Sequence, residues 1–286
     1  LSQSSLAFWA TWNDQHRRNL QALKILSETF HVKWSGKTLE AMVQIRMAGV
    51  THIGRRRKNN QDSLFFDEGH GIGVVADGIG GRKGGEIAST LVVDGIRQAF
   101  LASEVIRHEE VTPFLASAVD TVNANVFGFG RNNPEYAGLG STMDCILFSG
   151  DMVYVAHVGD SRTYLYDDGQ LFQLTLDHNV ENFVDRGLVH RDSLQDPRIR
   201  GAALVKAVGL TARCELDICR IKRRPGQIYL SCSDGLTSML DDREVAALLA
   251  THGGNLQKSA SALLDAANDA GGRDNITILL ARVEGR

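Results

Sequence analysis

Short apolar runs recur along most of the chain, each closed by glycine, aspartate or a polar cluster. The runs at 71–76, 142–148, 152–158, 162–166, 171–174, 227–232 and 276–283 are rich in β-branched and aromatic residues and predict strands. Apolar positions spaced by three or four predict helices over 84–101, 113–127, 178–187, 242–251 and 255–270. Runs 152–158, 162–166 and 171–174 are joined by short turns, one of them Asp167-Asp168-Gly169, and read as a meander of hairpins. Linkers this short leave no room for crossover helices, so the sheets are expected to be antiparallel and the class α+β. Residues 189–202, which include HRDSLQDPRIRG, are polar and weakly patterned and read as an exposed loop or flap.

Residues 1–45 have a different texture. All three tryptophans, Trp9, Trp12 and Trp34, lie there. Trp9, Trp12, His16, Leu20, Leu23, Leu26 and Phe30 step by three or four, which is one face of a helix, and Gly36 offers a break after it. This face either docks on the core of the same chain or binds a regulatory partner. The expected organisation is an amino-terminal helical extension, 1–45, followed by one domain, 46–286.

Hydrophobic residues make up 43% of the 286 positions and charged residues 23%, the balance of a water-soluble globular protein with a sizeable core. The formal net charge of −3 gives no reason to expect nucleic acid or an anionic membrane as partner. No window of ~18 uninterrupted apolar residues is present, so membrane insertion is not expected. Cys145, Cys214, Cys219 and Cys232 form no C-x-x-C pair, which argues against zinc and against a disulfide framework. They read as reduced thiols in a cytoplasmic protein.

The stretch VVADGIGG, Val74 to Gly81, changes the picture. It delivers Asp77 at the end of a strand-like run and follows it with Gly78, Gly80 and Gly81, so that a carboxylate and a bare main-chain carbonyl can approach the same ligand. Four more aspartates sit in similar settings: Asp62 before SLFF, Asp160 after VYVAHVG, Asp234 after IYLSCS, and Asp274 before NITILL. Any one of them alone reads as a turn or cap residue. Five at strand mouths can reach one cleft, and there they repel: two carboxylates 4 Å apart do so by roughly 4 kcal/mol at an effective dielectric of 20. They must take up protons or bind cations. An all-oxygen donor set selects magnesium or manganese. The basic run Arg55-Arg56-Arg57-Lys58 lies just ahead of Asp62, and a guanidinium grips phosphate oxygens in a fork. It reads as a solvated turn, as a nucleic-acid patch or, beside an acidic cluster, as the anchor of a phosphate ester.

Taken in order, these residues resemble the metal-dependent serine/threonine protein phosphatases of type 2C, in their bacterial form. GRRRKNNQD at 54–62, DGIGG at 77–81 with GGEIAS at 84–89, GLGSTM at 138–143, GDSR at 159–162, SDGL at 233–236 and GRDNIT at 272–277 carry the resemblance, which covers 46–286. It implies a four-layer α-β-β-α sandwich of two antiparallel sheets flanked by helices. It implies two manganese or magnesium ions, with a third, weaker site. Asp77 resembles the ligand bridging both ions, the Gly78 carbonyl a ligand of the second, and Asp234 and Asp274 ligands of the first. Asp62 resembles an acid holding metal-bound waters, and Asp160 a ligand of the third ion, shared with Asp234. Arg57 resembles the phosphate-binding arginine, and Asn275 a support for the loop carrying Asp274. The implied reaction is direct hydrolysis of phosphoserine and phosphothreonine in proteins by a metal-activated water, with no phosphoenzyme, so Cys145 and Cys232 are read as packing residues. The implied partners are phosphorylated protein substrates, those of a serine/threonine kinase.

The chain departs from the family pattern at Gln61, where many relatives carry glutamate, and at Ile79, where animal members carry a histidine thought to act as acid. Arg82 and Ala202 depart as well, the latter in the flap that tunes substrate choice. The general acid is therefore unassigned. The competing expectations are a catalytically silent phosphatase fold serving as a regulatory or binding module and, more remotely, a metal-dependent nuclease.

Overall fold

The computed structural model describes residues 44–103, 110–190, 201 and 203–285. The main unit comprises Val43–His178 and Leu204–Arg286. Its first sheet is built from β1 (Ile45–His52), β11 (Ile276–Val283), β10 (Ile228–Cys232), β7 (Arg162–Asp167) and β8 (Gln170–Gln173), in that order. The second contains β2 (Asp62–Asp67), β3 (Ile72–Ile79), β5 (Met143–Ser149), β6 (Met152–Val158) and β9 (Asp217–Lys222), with the two-residue β4 (Gly140–Ser141) pairing the end of β3. Every ladder is antiparallel. Helices α1 (Gly81–Ala102) and α2 (Val111–Asn132) cover the outer face of the second sheet. The residues named α3 (Val180–Asp185) belong to a separate unit, where the Asn179 side chain caps the helix by accepting from the Asn182 N–H at 2.9 Å. After the single turn α4 (Asp234–Thr237), helices α5 (Asp242–His252) and α6 (Leu256–Asp269) cover the first sheet. The expected four-layer α+β sandwich is therefore the observed fold.

The period of two along each strand sorts its side chains between these layers. On β3, Ile72, Val74 and Ala76 pack under α1 and α2 with Leu115, Val119 and Val122. On β11, Ile276, Ile278 and Leu280 pack under α5 and α6 with Leu249 and Leu263. Each such fully buried side chain contributes about 1.5–3 kcal/mol. The alternate residues face the other sheet: Leu279 lies against Gly73, and Phe148 meets Tyr229 edge to face at 5.6 Å between ring centres. By the same alternation Asp62, Asp77 and Thr277 face the gap between the sheets rather than a helix layer. Asp77 is thus delivered to the end of that gap by the pattern that buries Val75.

Most predicted elements stand within a few residues of their observed bounds, but one expectation is corrected. The hairpin meander over 152–158, 162–166 and 171–174 does not exist as such: β7 and β8 pair, whereas β6 lies in the other sheet. The chain crosses between sheets at Gly159-Asp160-Ser161, and Gly159 takes φ +115°, which other residues resist. A Cβ on Gly159 would also stand 2.6 Å from the Thr142 side chain. Strands β1 and β9 were not predicted. The helical face of 1–45 lies outside the described residues, as does most of the flap.

Candidate metal centre and phosphate site

Asp62 opens β2 and sits directly across the ladder from Asp77 on β3. Hydroxyls hold one side of Asp62: Thr277 and Ser233 donate to its Oδ2 at 2.7 and 2.8 Å. Its Oδ1 is buried without a protein partner. Burial, above all, and the charges of Asp234 and Asp274 push the Asp62 carboxyl up to about 6 despite those two hydroxyls.

Asp77 is fixed through its backbone. Its N–H donates to Thr142 Oγ1 at 2.8 Å, and its carbonyl accepts from the Thr142 N–H at 2.8 Å and from Ser141 Oγ at 2.9 Å. Thr142 Oγ1 in turn bonds Ser161 Oγ at 2.7 Å, which ties the Asp77 strand to the turn carrying Asp160. Gly78 follows where no side chain fits, because a Cβ there would lie 1.9 Å from the Gly85 carbonyl oxygen. Burial raises the Asp77 carboxyl well above the ordinary range, and Asp62, Asp234, Asp160 and Asp274 add to the shift.

Asp160 is pushed up to about 7, by burial first and then by Asp234 and Asp177. Asp234, the first residue of α4, is raised by burial and by Asp274; its hydrogen bond with Asp77 and the charge of Arg57 oppose this. Asp234 Oδ1 is a second buried oxygen without a protein partner. Asp274 pairs with Arg57, and its Oδ1 accepts from the Asn275 N–H at 2.8 Å. The contact with Asp274, ahead of the attraction of Asp77 and Asp234, raises the Arg57 guanidinium further. Asp77 thus feels Asp62, Asp160, Asp234 and Asp274, and Arg57 feels Asp77, Asp234 and Asp274, so the six side chains form one electrostatic cluster.

The motifs contain, but do not single out, the hydroxyls of Ser141, Thr142, Ser161, Ser233 and Thr277. They are the residues that orient Asp62 and Asp77. Asn275 does more than support Asp274: its Oδ1 accepts from the Gln61 N–H at 2.8 Å, and its Nδ2 donates to the Ile53 and Asn59 carbonyls at 3.0 Å each. It thus fastens both ends of the arginine-rich turn.

Behind Asp160 lies a second buried network. His157 Nδ1 is 2.5 Å from Asp144 Oδ1, and its Nε2 is 2.9 Å from the Leu176 carbonyl. Both ring nitrogens face oxygen atoms, a setting that favours the doubly protonated imidazole. Burial pulls its pKa down, but Asp144 and Leu176 outweigh burial and hold it above the ordinary value. His178, its ring centre 4.6 Å from that of His157 and tilted by 40°, accepts from the Gly159 N–H at 3.1 Å.

The donors are suited to a divalent cation. They are all oxygen, two buried carboxylate oxygens lack protein partners, and burial first, then neighbouring charge, raises Asp62, Asp77 and Asp234. Among the described residues no three acidic, histidine or cysteine side chains form a closed chelate.

Comparison with known proteins agrees. The protein phosphatase 2C family matches residues 48–266. The serine/threonine phosphatase Stp of Listeria welshimeri is 31% identical over 236 residues, which span 80% of this chain and 92% of that protein. The crystal structure of the Mycobacterium tuberculosis serine/threonine phosphatase PstP superposes with a TM-score of 0.75 at 29% identity, covering 85% of this chain and all of that one. The catalytic domain of PstP in complex with two manganese ions superposes with a TM-score of 0.73, again at 29% identity and 85% and 100% coverage. The fold and the cleft define a phosphatase sandwich with a metal centre. The chain belongs to the protein phosphatase 2C family.

Proposed function

We propose a division of labour among the residues of this cleft. The enzyme is a metal-dependent serine/threonine protein phosphatase, and its substrates are phosphoproteins. Asp77, the Gly78 carbonyl, Asp234 and Asp274 would hold two manganese or magnesium ions; Asp62 would orient their waters, and Asp160 with Asp234 would serve a third, weaker site. Bound ions supply positive charge to the phosphoryl oxygens and lower the pKa of water. Arg57 binds the phosphoryl oxygens through its guanidinium fork, from a turn anchored by Asn275. Ser233 and Thr277 keep the Asp62 carboxylate turned into the cleft. The thiols stay out of the chemistry: Cys145 and Cys232 are fully buried, and burial pushes Cys145 up to about 12 and Cys232 higher still.

The observation that carries this reading is the mutual proximity of five aspartates and one arginine in one cleft. A silent binding module has no use for a cluster that repels itself. Hydrolysis of p-nitrophenyl phosphate with and without manganese tests it: turnover that requires manganese is expected, and no turnover in metal would favour the module. The opposing enzyme is a serine/threonine kinase, and the amphipathic stripe of 1–45 serves a partner or the domain's own surface. Four free cysteines fit the reducing cytoplasm. No helix among the described residues is long and apolar enough to cross a membrane.

A further inference from the structure

The turn that carries Arg57 presents more positive charge than phosphate binding needs. Arg55, Arg56 and Lys58 flank Arg57 and are exposed, as is Arg273 on the neighbouring loop. Arg57 reaches Asp274, whereas none of the other four has an acidic partner among the described residues. A solvated basic turn is ordinarily loose, but this one is pinned. The Arg55 N–H donates to the Gly272 carbonyl at 2.7 Å, Asn275 Nδ2 holds the Ile53 and Asn59 carbonyls, and Asn60 Nδ2 donates to Thr51 Oγ1 at 2.8 Å. The loop 271–274 lies against it, with Arg55 Cγ next to Gly272. Arg57 and Asp274 meet at the cleft, so the residues beside them stand at its rim.

We propose that this rim selects phosphoproteins with aspartate or glutamate close to the phosphorylated residue. The inference rests on the phosphatase reading above and adds the substrate class. An extended peptide advances about 3.3 Å per residue. Cations within one or two residues of Arg57 therefore meet side chains within two or three positions of the phosphoryl group. Exposed charge pairs are individually weak, roughly 0.2–1 kcal/mol, which is about a 1.4- to fivefold effect each. Several acting together steer encounter and favour the acidic peptide over a basic one. A nucleic-acid strand would also find cations here, but the chain as a whole carries a net charge of −3, and the basic residues form one short rim rather than a long track.

The test uses the full chain in manganese and phosphothreonine peptides with either Glu or Lys at the two positions on each side of the phosphothreonine. The expected kcat/KM ratio, acidic over basic, is about tenfold and falls as KCl is raised. In Arg56→Glu/Lys58→Glu the ratio should fall to about one or invert; Arg273→Ala should lower it partway. An equal ratio in wild type and double variant would overturn the proposal. So would a ratio near one together with binding of a single-stranded RNA that the double variant loses, which would assign the rim to nucleic acid. p-Nitrophenyl phosphate assayed in parallel separates the two failures. Its hydrolysis without peptide preference sinks only this inference, whereas no hydrolysis of it sinks the phosphatase reading.

Discussion

Asp62 and Asp77 face each other as a register pair across the β2–β3 ladder, two like charges in the position where strands normally place compatible partners. The fold tolerates this because Ser233 and Thr277 take one oxygen of Asp62 and Thr142 and Ser141 lock the Asp77 backbone. The site is therefore held at a cost in stability. We predict that Asp77→Asn lowers manganese-dependent p-nitrophenyl phosphate turnover by at least ~10²-fold. The same variant should be more stable than wild type in EDTA, by about 1 kcal/mol in urea unfolding, because one repelling charge is gone. Near-normal turnover would contradict the first expectation, and a destabilised variant the second.

Arg57 supplies the second prediction. Its guanidinium pairs with Asp274 and is attracted by Asp77 and Asp234. Arg57→Ala should reduce kcat/KM for a phosphate ester about 10- to 100-fold, the worth of one or two charge-assisted hydrogen bonds. The loss should lie mainly in KM, and Arg57→Lys should recover only part of it because a single ammonium cannot fork. A variant with unchanged KM would remove Arg57 from substrate binding.

The buried Asp144–His157 pair gives a pH dependence of stability. The folded pKa of His157 is raised above its ordinary ~6.5. Its contribution to stability is then complete below about pH 6.5 and is lost as pH rises through the folded value. Urea unfolding of wild type and His157→Gln between pH 6 and 9 should show a stability gap that narrows as pH rises. A gap of constant size would mean that the imidazole is neutral in the folded protein.

Much of this was legible in the sequence, for a physical reason. Strand mouths are where a rigid scaffold meets solvent, so the aspartates ending VVA, VYVAHVG and IYLSCS declared themselves by position. The six ordered motifs carried the family and with it the sandwich. What the sequence hid were relationships between sheets. Residues 152–174 read as one meander because a short hairpin turn and a short crossing between layers look alike in sequence: Gly159 at the crossing and Asp168-Gly169 in the hairpin both take positive φ. Strand β1 was missed because Arg46 and Gly49 interrupt its apolar pattern, although Ile45–His52 pairs with β11 along its whole length. The hydroxyl shell went unassigned because Ser233 and Thr277 are far from Asp62 in the chain and meet it only when the sheets stack.

Every candidate site residue lies after position 45, and the described ladder begins with Ile45 opposite Val283. A chain starting at Gln44 should therefore keep most of its manganese-dependent hydrolysis of p-nitrophenyl phosphate, within about a factor of three of the full chain on an ordinary surface-truncation scale. Collapse of activity with a retained cooperative unfolding transition would make the amino-terminal stripe part of the working enzyme.

The most direct test of the central claim is calorimetric titration of manganese into metal-stripped protein, with Asp77→Asn alongside. Five aspartates converging on one cleft predict at least two ions per wild-type chain and a loss of that binding in the variant. Wild-type protein that takes up no manganese, or a variant that binds it as well as wild type does, would contradict the account.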